Sequence, residues 1–203
     1  MTESYFYEVA AGHRLPHDPL KAIIAPRPIG WISSVDSEGR VNLAPYSFFN
    51  MVSDSPPMVM FSSNGWKDSV RNVSDTGEFV ANLAGLELAE AMNRTSASVP
   101  REVDEMELAG LEKAPCRLVR PPRVAAAAAA LECRKLSITH LSGLNGEPSS
   151  NYMVIGQIVA VHIDPHFLHD GRFDTAAAAP LGRCGYRGDY VAATTLFEMI
   201  RPK

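Results

Sequence analysis

The pattern of apolar and polar positions changes character several times along the chain, and strand signals dominate it from Ile23 onward. Residues 1–22 show little periodicity and carry Pro16 and Pro19, so an extended lead-in is expected there. Ile29-Gly-Trp-Ile-Ser-Ser-Val35 is rich in bulky and β-branched residues and stops at Asp36-Ser-Glu-Gly39. Acidic, hydroxyl and glycine residues in that order have the chemistry of a hairpin turn, and Val41-Asn-Leu43 begins the return strand. Pro57-Met-Val-Met-Phe-Ser62 is a nearly continuous apolar run, as for a strand covered on both faces. Between Lys67 and Asp75 the period lengthens: Val70 and Val73 are three apart among polar residues, and Thr76-Gly77 closes the segment as a helix end does. Glu78-Phe-Val-Ala-Asn-Leu83 alternates again. Leu86 to Arg94 sets Leu86, Leu88, Ala89 and Met92 among glutamates, which predicts a short amphipathic helix, and Thr95 to Glu105 reads as a surface loop.

The second half opens on a conflict. Six consecutive alanines, Ala125 to Ala130, favour helix by intrinsic propensity, yet Leu131-Glu-Cys-Arg-Lys-Leu-Ser-Ile138 alternates with period two. A strand is expected from about Leu131, with the alanines as coil or strand. Asn151 to Ile163 is the clearest strand in the chain, and at that length it must bend or twist, with Gly156 as the bend point. Many strands, few short helices and no βαβ rhythm predict a mainly β barrel or sandwich. No G-x-G-x-x-G or G-x-x-x-x-G-K-[ST] is present, which argues against a dinucleotide-binding sheet or a P-loop.

Composition narrows the function classes. At 203 residues one domain over 1–203 is expected, and 46% hydrophobic against 21% charged residues supports a sizeable core. A net charge of -4 without a basic run argues against a nucleic-acid surface. No apolar stretch is long enough to span a bilayer and the first residues lack a signal-peptide pattern, so a cytoplasmic protein without a membrane role is expected. Cys116, Cys133 and Cys184 form no C-x-x-C pair and read as buried or half-buried thiols. His162, His166 and His169 would come together as metal ligands only on a helix, and Pro165 interrupts them, so no metal site is expected.

Three segments carry candidate chemistry. Pro26-Arg-Pro28 presents Arg27 with little backbone freedom. This suits a phosphate or carboxylate partner, or equally a rigid entry into the next strand with Arg27 solvated. Asn42-Leu-Ala-Pro-Tyr-Ser-Phe-Phe-Asn50 mixes amides and hydroxyls with aromatic bulk. A flavin ring needs that mixture, and so does a plain strand whose alternate residues are core. In Ser62-Ser-Asn-Gly-Trp-Lys-Asp-Ser69 a strand runs through hydroxyls and a glycine into a helix start. Free N–H groups there favour an anion, with Lys67 adding charge; capping by a serine or Asn64 explains the hydroxyls but not the lysine.

In order, Pro26-Arg-Pro-Ile-Gly-Trp-Ile-Ser-Ser34, Asn42 to Asn50 and Trp66-Lys-Asp-Ser-Val-Arg-Asn72 resemble successive blocks of the flavin reductase-like, FMN-binding split-barrel family. Fainter likenesses follow at Gly77–Asn82, Leu131-Glu-Cys133, Gly156–His162 and Pro180–Tyr186. The resemblance implies a six-stranded Greek-key split barrel with short peripheral helices, forming a homodimer with FMN near the subunit interface. It implies an NADH- or NADPH-dependent oxidoreductase that reduces free flavin, a partner oxygenase or another acceptor, or else an electron carrier without useful nicotinamide activity. Carried onto this chain, Ser47, Phe48, Phe49 and Asn50 lie along the isoalloxazine, and Ser62, Ser63, Lys67, Asp68 and Ser69 serve the phosphate and ribityl chain. Arg27 lines the same cavity, and Arg183 and Tyr186 close it. Hydride transfer between two cofactors needs no protein acid–base triad, so no catalytic side chain is expected. Where the family tends to have Glu-Ser-Pro, this chain has Ala126 to Ala128, and the segment's contacts are open. A cofactor-free binding module on the same barrel is the third class.

Overall fold

The computed structural model describes residues 4–202. Seven antiparallel strands form the main sheet: β1 (Gly30–Val35), β2 (Val41–Tyr46), β3 (Phe49–Asp54), β4 (Pro57–Asn64), β5 (Glu78–Leu83), β6 (Ala129–Ser142) and β7 (Pro148–Ile163). They hydrogen-bond in the order β2-β1-β5-β6-β7-β4-β3. Strands β2 and β3 are therefore at opposite edges, yet only Ser47 and Phe48 separate them in sequence. The three Cα–Cα steps from Tyr46 to Phe49 reach at most ~11 Å, so the sheet must roll until its edges meet. The Phe48 carbonyl accepts the Ser62 N–H at 2.8 Å, and the Tyr46 ring packs 4.9 Å from that of Phe61. The result is a split barrel, with seven strands where six were expected because β3 adds an edge beside β4.

Inside the barrel, Ile32, Val59, Phe61, Phe79, Cys133 and Val154 pack with Val70 and Val73. Those two valines lie on α1 (Asp68–Thr76), the helix foreseen from their spacing, which plugs one side of the roll. Gly77, in the left-handed region at φ 75°, ends the helix as expected. The helix foreseen at 86–94 divides into a 3₁₀ turn, Leu86–Leu88, and α2 (Ala89–Arg94). A third helix, α3 (Glu105–Leu108), is capped by Asp104, whose side chain accepts the N–H groups of Met106 and Glu107.

Several expectations are corrected. The lead-in is not wholly extended, since Val9–Ala11 is a 3₁₀ turn and Leu20–Ile23 a helical turn; residues 1–3 lie outside the described residues. Strand β6 starts at Ala129, because Ala129 and Ala130 pair with Ile163 and His162 while Ala125 to Ala128 form a turn. Pairing with β5 and β7 overrides the alanines' helical preference. Strand β4 is not covered on both faces: Val59, Phe61 and Ser63 are buried, whereas Met60 and Ser62 look into a recess. The stretch after α2 is not all surface, for Thr95 is buried and accepts the Trp31 indole N–H at 2.9 Å.

Gly156 sits at a register shift between β6 and β7, as its bend role requires. A Cβ there would come within 2.4 Å of the Phe79 ring and 3.3 Å of the Arg134 carbonyl oxygen. Gly156→Ala is expected to destabilise the fold by ~1–3 kcal/mol through overpacking. Denaturant unfolding checks this, and a midpoint equal to wild type would show that Phe79 moves aside freely.

Candidate functional site

Nine of the twelve foreseen site residues fall into two recesses flanking the Tyr46–Phe49 link; Ser63, Arg183 and Tyr186 line neither. The first is a groove of about 460 Å³, inside the ~300–1,000 Å³ range of small-molecule sites. Its walls are β2 (Asn42, Ala44–Tyr46), the start of α1 (Lys67–Ser69, Arg71), Trp66, residues 95–99 and Glu105. The second, about 650 Å³ and largely apolar, is lined by Arg27, Ser47, Phe48, Phe49, Asn50 and Ser62 with Met60, Leu141 and Met153. The resemblance implies one cavity for these residues, and the structure divides them between two recesses.

The first groove carries Lys67 and Arg71 together with the acidic Asp68 and Glu105. Strand β4 leads through Gly65, at φ 91°, into an extended Lys67 that occupies the N-cap position of α1. The Lys67 side chain does not cap that end, and among the described residues neither the serines nor Asn64 meets its free N–H groups. Uncapped N–H groups and the helix dipole favour negative charge. Lys67 takes part in none of the ion pairs among the described residues, while Asp68 draws Arg71 at 3.4 Å. Ser69 is buried and its Oγ accepts the Asn42 side-chain N–H at 2.8 Å, tying α1 to β2. Asn42 also reaches Ser34 Oγ, which accepts from Asn72 of α1 at 3.2 Å. This buried polar web fixes the helix end against the strand before any ligand arrives.

Two other groups face the same groove. Tyr46 is buried, and burial pushes its phenol up, outweighing the Ser69 and Ser63 hydroxyls beside it. Burial likewise pushes the Glu105 carboxyl up, against the Leu43 N–H that favours the anion. Sequence reasoning did not find Glu105 or residues 95–99, since neither periodicity nor a motif marks them. The one usable signal was the lack of apolar pattern from Thr95 onward.

Other foreseen residues do different work. The Arg27 guanidinium donates to the carbonyls of Lys21 and Ile24, each at 2.5 Å, and of Cys184 at 2.9 Å, leaving Nε buried and unpartnered. It is neither solvated nor free for a phosphate; it ties residues 21–24 to the last part of the chain. Ser63 is buried and donates to the Gly65 carbonyl, holding the turn before Lys67. Ser62 accepts from Asn151 at 3.1 Å. Arg183 pairs in register with Arg27 and stacks 4.6 Å over Tyr190, while Tyr186 lies against His17; neither lines either recess.

Cys116, Glu132 and His162 bring ligand atoms within 4.8 Å of one another. Glu132 is fully buried and its two oxygens already accept the N–H groups of Arg117, Leu118 and Val119 and a contact from His162. Burial pushes the Cys116 thiol up to about 11, with the Glu132 charge adding to the effect. Through these hydrogen bonds the Glu132 carboxylate clamps residues 117–119, and its acceptor positions are taken up in doing so. Among the described residues no helix is long and apolar enough to cross a membrane.

The model of the flavin reductase like domain matches residues 24–177. The chain belongs to that family. Its relatives include an uncharacterised protein of Deinococcus radiodurans, 34% identical over 99% of this chain and 91% of the relative. Among solved structures, nitrilotriacetate monooxygenase component B from Bacillus cereus is 32% identical with a TM-score of 0.82, covering 89% of this chain and 90% of that one. The 2-nitrobenzoate 2-nitroreductase NbaA of Pseudomonas fluorescens is 28% identical with a TM-score of 0.80, covering 90% and 88%. The matched span holds both recesses and leaves Arg183 and Tyr186 outside it.

Proposed function

We propose that the protein holds FMN in the first groove and passes reducing equivalents from NADH or NADPH through it to free flavin or another acceptor. The observation that carries this reading is the uncapped start of α1 with an unpaired Lys67 at the mouth of a groove that also offers aromatic cover. In it the phosphate meets the α1 N–H groups and Lys67, Trp66 and Tyr46 give apolar contact, and Asn42 and Ser69 hold the helix end in place. Bound flavin supplies the hydride-accepting chemistry. The residues' task is to position and partly cover it.

The names of the two enzyme-related structures support an acceptor that is either an oxygenase partner or a small molecule. A homodimer belongs to the same proposal. Phe48, Met51 and Val52 at the β3 edge and Leu196, Phe197, Met199 and Ile200 near the chain's end are large, apolar and exposed, as expected of surface that a second copy covers.

Anaerobic mixing of the flavin-loaded protein with each nicotinamide nucleotide tests the reaction. Loss of the visible flavin absorbance with NADH or NADPH is expected. An unbleached spectrum with both would leave an FMN-binding electron carrier, and a protein that takes up no FMN would leave a cofactor-free module.

A further inference from the structure

Anion binding at α1 does not account for the opposite wall of the groove. Glu105, at the start of α3, is 8% exposed and still lines the groove. One of its oxygens, Oε2, accepts the Leu43 N–H at 3.0 Å, and its own backbone N–H is the other donor near the carboxyl. None of the ion pairs among the described residues includes it. A carboxylate has about four acceptor positions, so a buried acceptor capacity remains on the groove side.

The neighbouring edge of β2 has the same character. Strand β2 pairs only with β1, so its other edge carries no strand. In an antiparallel strand the N–H and C=O of one residue point to the same side, and successive residues alternate. Because the Leu43 N–H goes to Glu105, Leu43 and Pro45 direct their main-chain groups away from β1. The Leu43 N–H is already engaged and Pro45 has none. At Pro45, which lines the groove, this edge therefore offers a carbonyl oxygen and no N–H, on the same groove as a carboxylate that offers more.

We propose that Glu105 determines which ligands the groove accepts, by receiving a hydrogen bond from an N–H or O–H donor of the bound flavin. The groove then reads both ends of its ligand: an anion at α1 and a donor at Glu105. The inference rests on the FMN reading. A flavin has two kinds of donor for this wall, the imide N–H of its ring and the hydroxyls of its ribityl chain.

The experiment compares wild type and Glu105→Gln by fluorescence titration with riboflavin, lumiflavin, which lacks the ribityl chain, and N3-methyl riboflavin, which lacks the imide N–H. If the carbonyl of the introduced amide keeps the Leu43 N–H, the amide's own N–H faces the ligand donor. Riboflavin should then bind roughly tenfold more weakly than to wild type, as for a lost hydrogen bond to a charged group. That difference should vanish for whichever analogue lacks the donor. A difference that persists with both analogues would show that Glu105 acts only by holding β2, and would overturn the proposal. So would a variant that binds riboflavin like wild type. If the variant does not fold, wild type alone decides, since equal affinity for riboflavin and both analogues is incompatible with a donor read at this wall. Wild type that binds neither FMN nor riboflavin overturns the FMN reading as well, so the two failures are told apart.

Discussion

Lys67→Ala is expected to weaken FMN binding roughly ten- to a hundredfold, from the ~1.5–3 kcal/mol of a charged hydrogen bond, and to leave riboflavin nearly unchanged. The contrast follows from the geometry at the start of α1. Lys67 occupies the N-cap position with extended backbone, so its removal leaves the helical residues and the Asn42–Ser69–Ser34–Asn72 web intact. A cation at a helix N-terminus is mildly unfavourable by itself, and its loss should not destabilise the apo-protein. The effect therefore belongs to the ligand's phosphate alone. Calorimetric titration of both flavins checks it. Equal losses for the two would place the phosphate elsewhere, and raised salt should weaken FMN binding to wild type more than to the variant.

The second large effect concerns stability. Glu132→Ala is expected to cost ~3–5 kcal/mol, because it leaves three backbone N–H groups and His162 around a buried space that the carboxylate had filled. For a chain of this size that corresponds to a fall in Tm of ~6–20 °C. Burial pushes the Glu132 carboxyl up, but the N–H of Arg117, the His162 ring and the N–H of Leu118 outweigh it and hold its pKa below the ordinary value. A carboxylate lowered in the folded state contributes stability that is present above its unfolded pKa of ~4.3. That contribution is lost as pH falls through the lower folded value. Unfolding measured from pH 7 to pH 3 should thus show a steeper acid loss for wild type than for Glu132→Ala. Matching pH profiles would remove Glu132 from the acid response.

Much of the scaffold was legible because its determinants are local. The Val70 and Val73 spacing with Gly77 gave α1 to within a residue, and the Asp36–Gly39 turn gave the β1–β2 hairpin. The alanine run was not legible at its edge, since Ala129 and Ala130 are strand residues through pairing with Ile163, His162 and Asn82, which all lie more than thirty positions away. The same limit governs the site. Lys67 and Ser69 stood out because a lysine is out of place where a helix begins. Arg27 was read as a ligand group because nothing local says that carbonyls of residues 21, 24 and 184 converge on it. Glu105 sat in an acidic stretch whose burial depends on β2 packing from sixty residues earlier.

The two-residue link between the outermost strands bears on how the chain folds. The β1–β2 and β3–β4 hairpins form from near neighbours, yet nothing local joins them side by side. The roll is complete only when β7 returns to β4, with Asn151 opposite Asn64, so closure depends on a contact between distant parts of the sequence, the kind of pairing that slows folding. If the proposed flavin binds only the closed barrel, flavin at a hundred times its Kd would deepen the native well by ~2.7 kcal/mol without hastening the search that leads there.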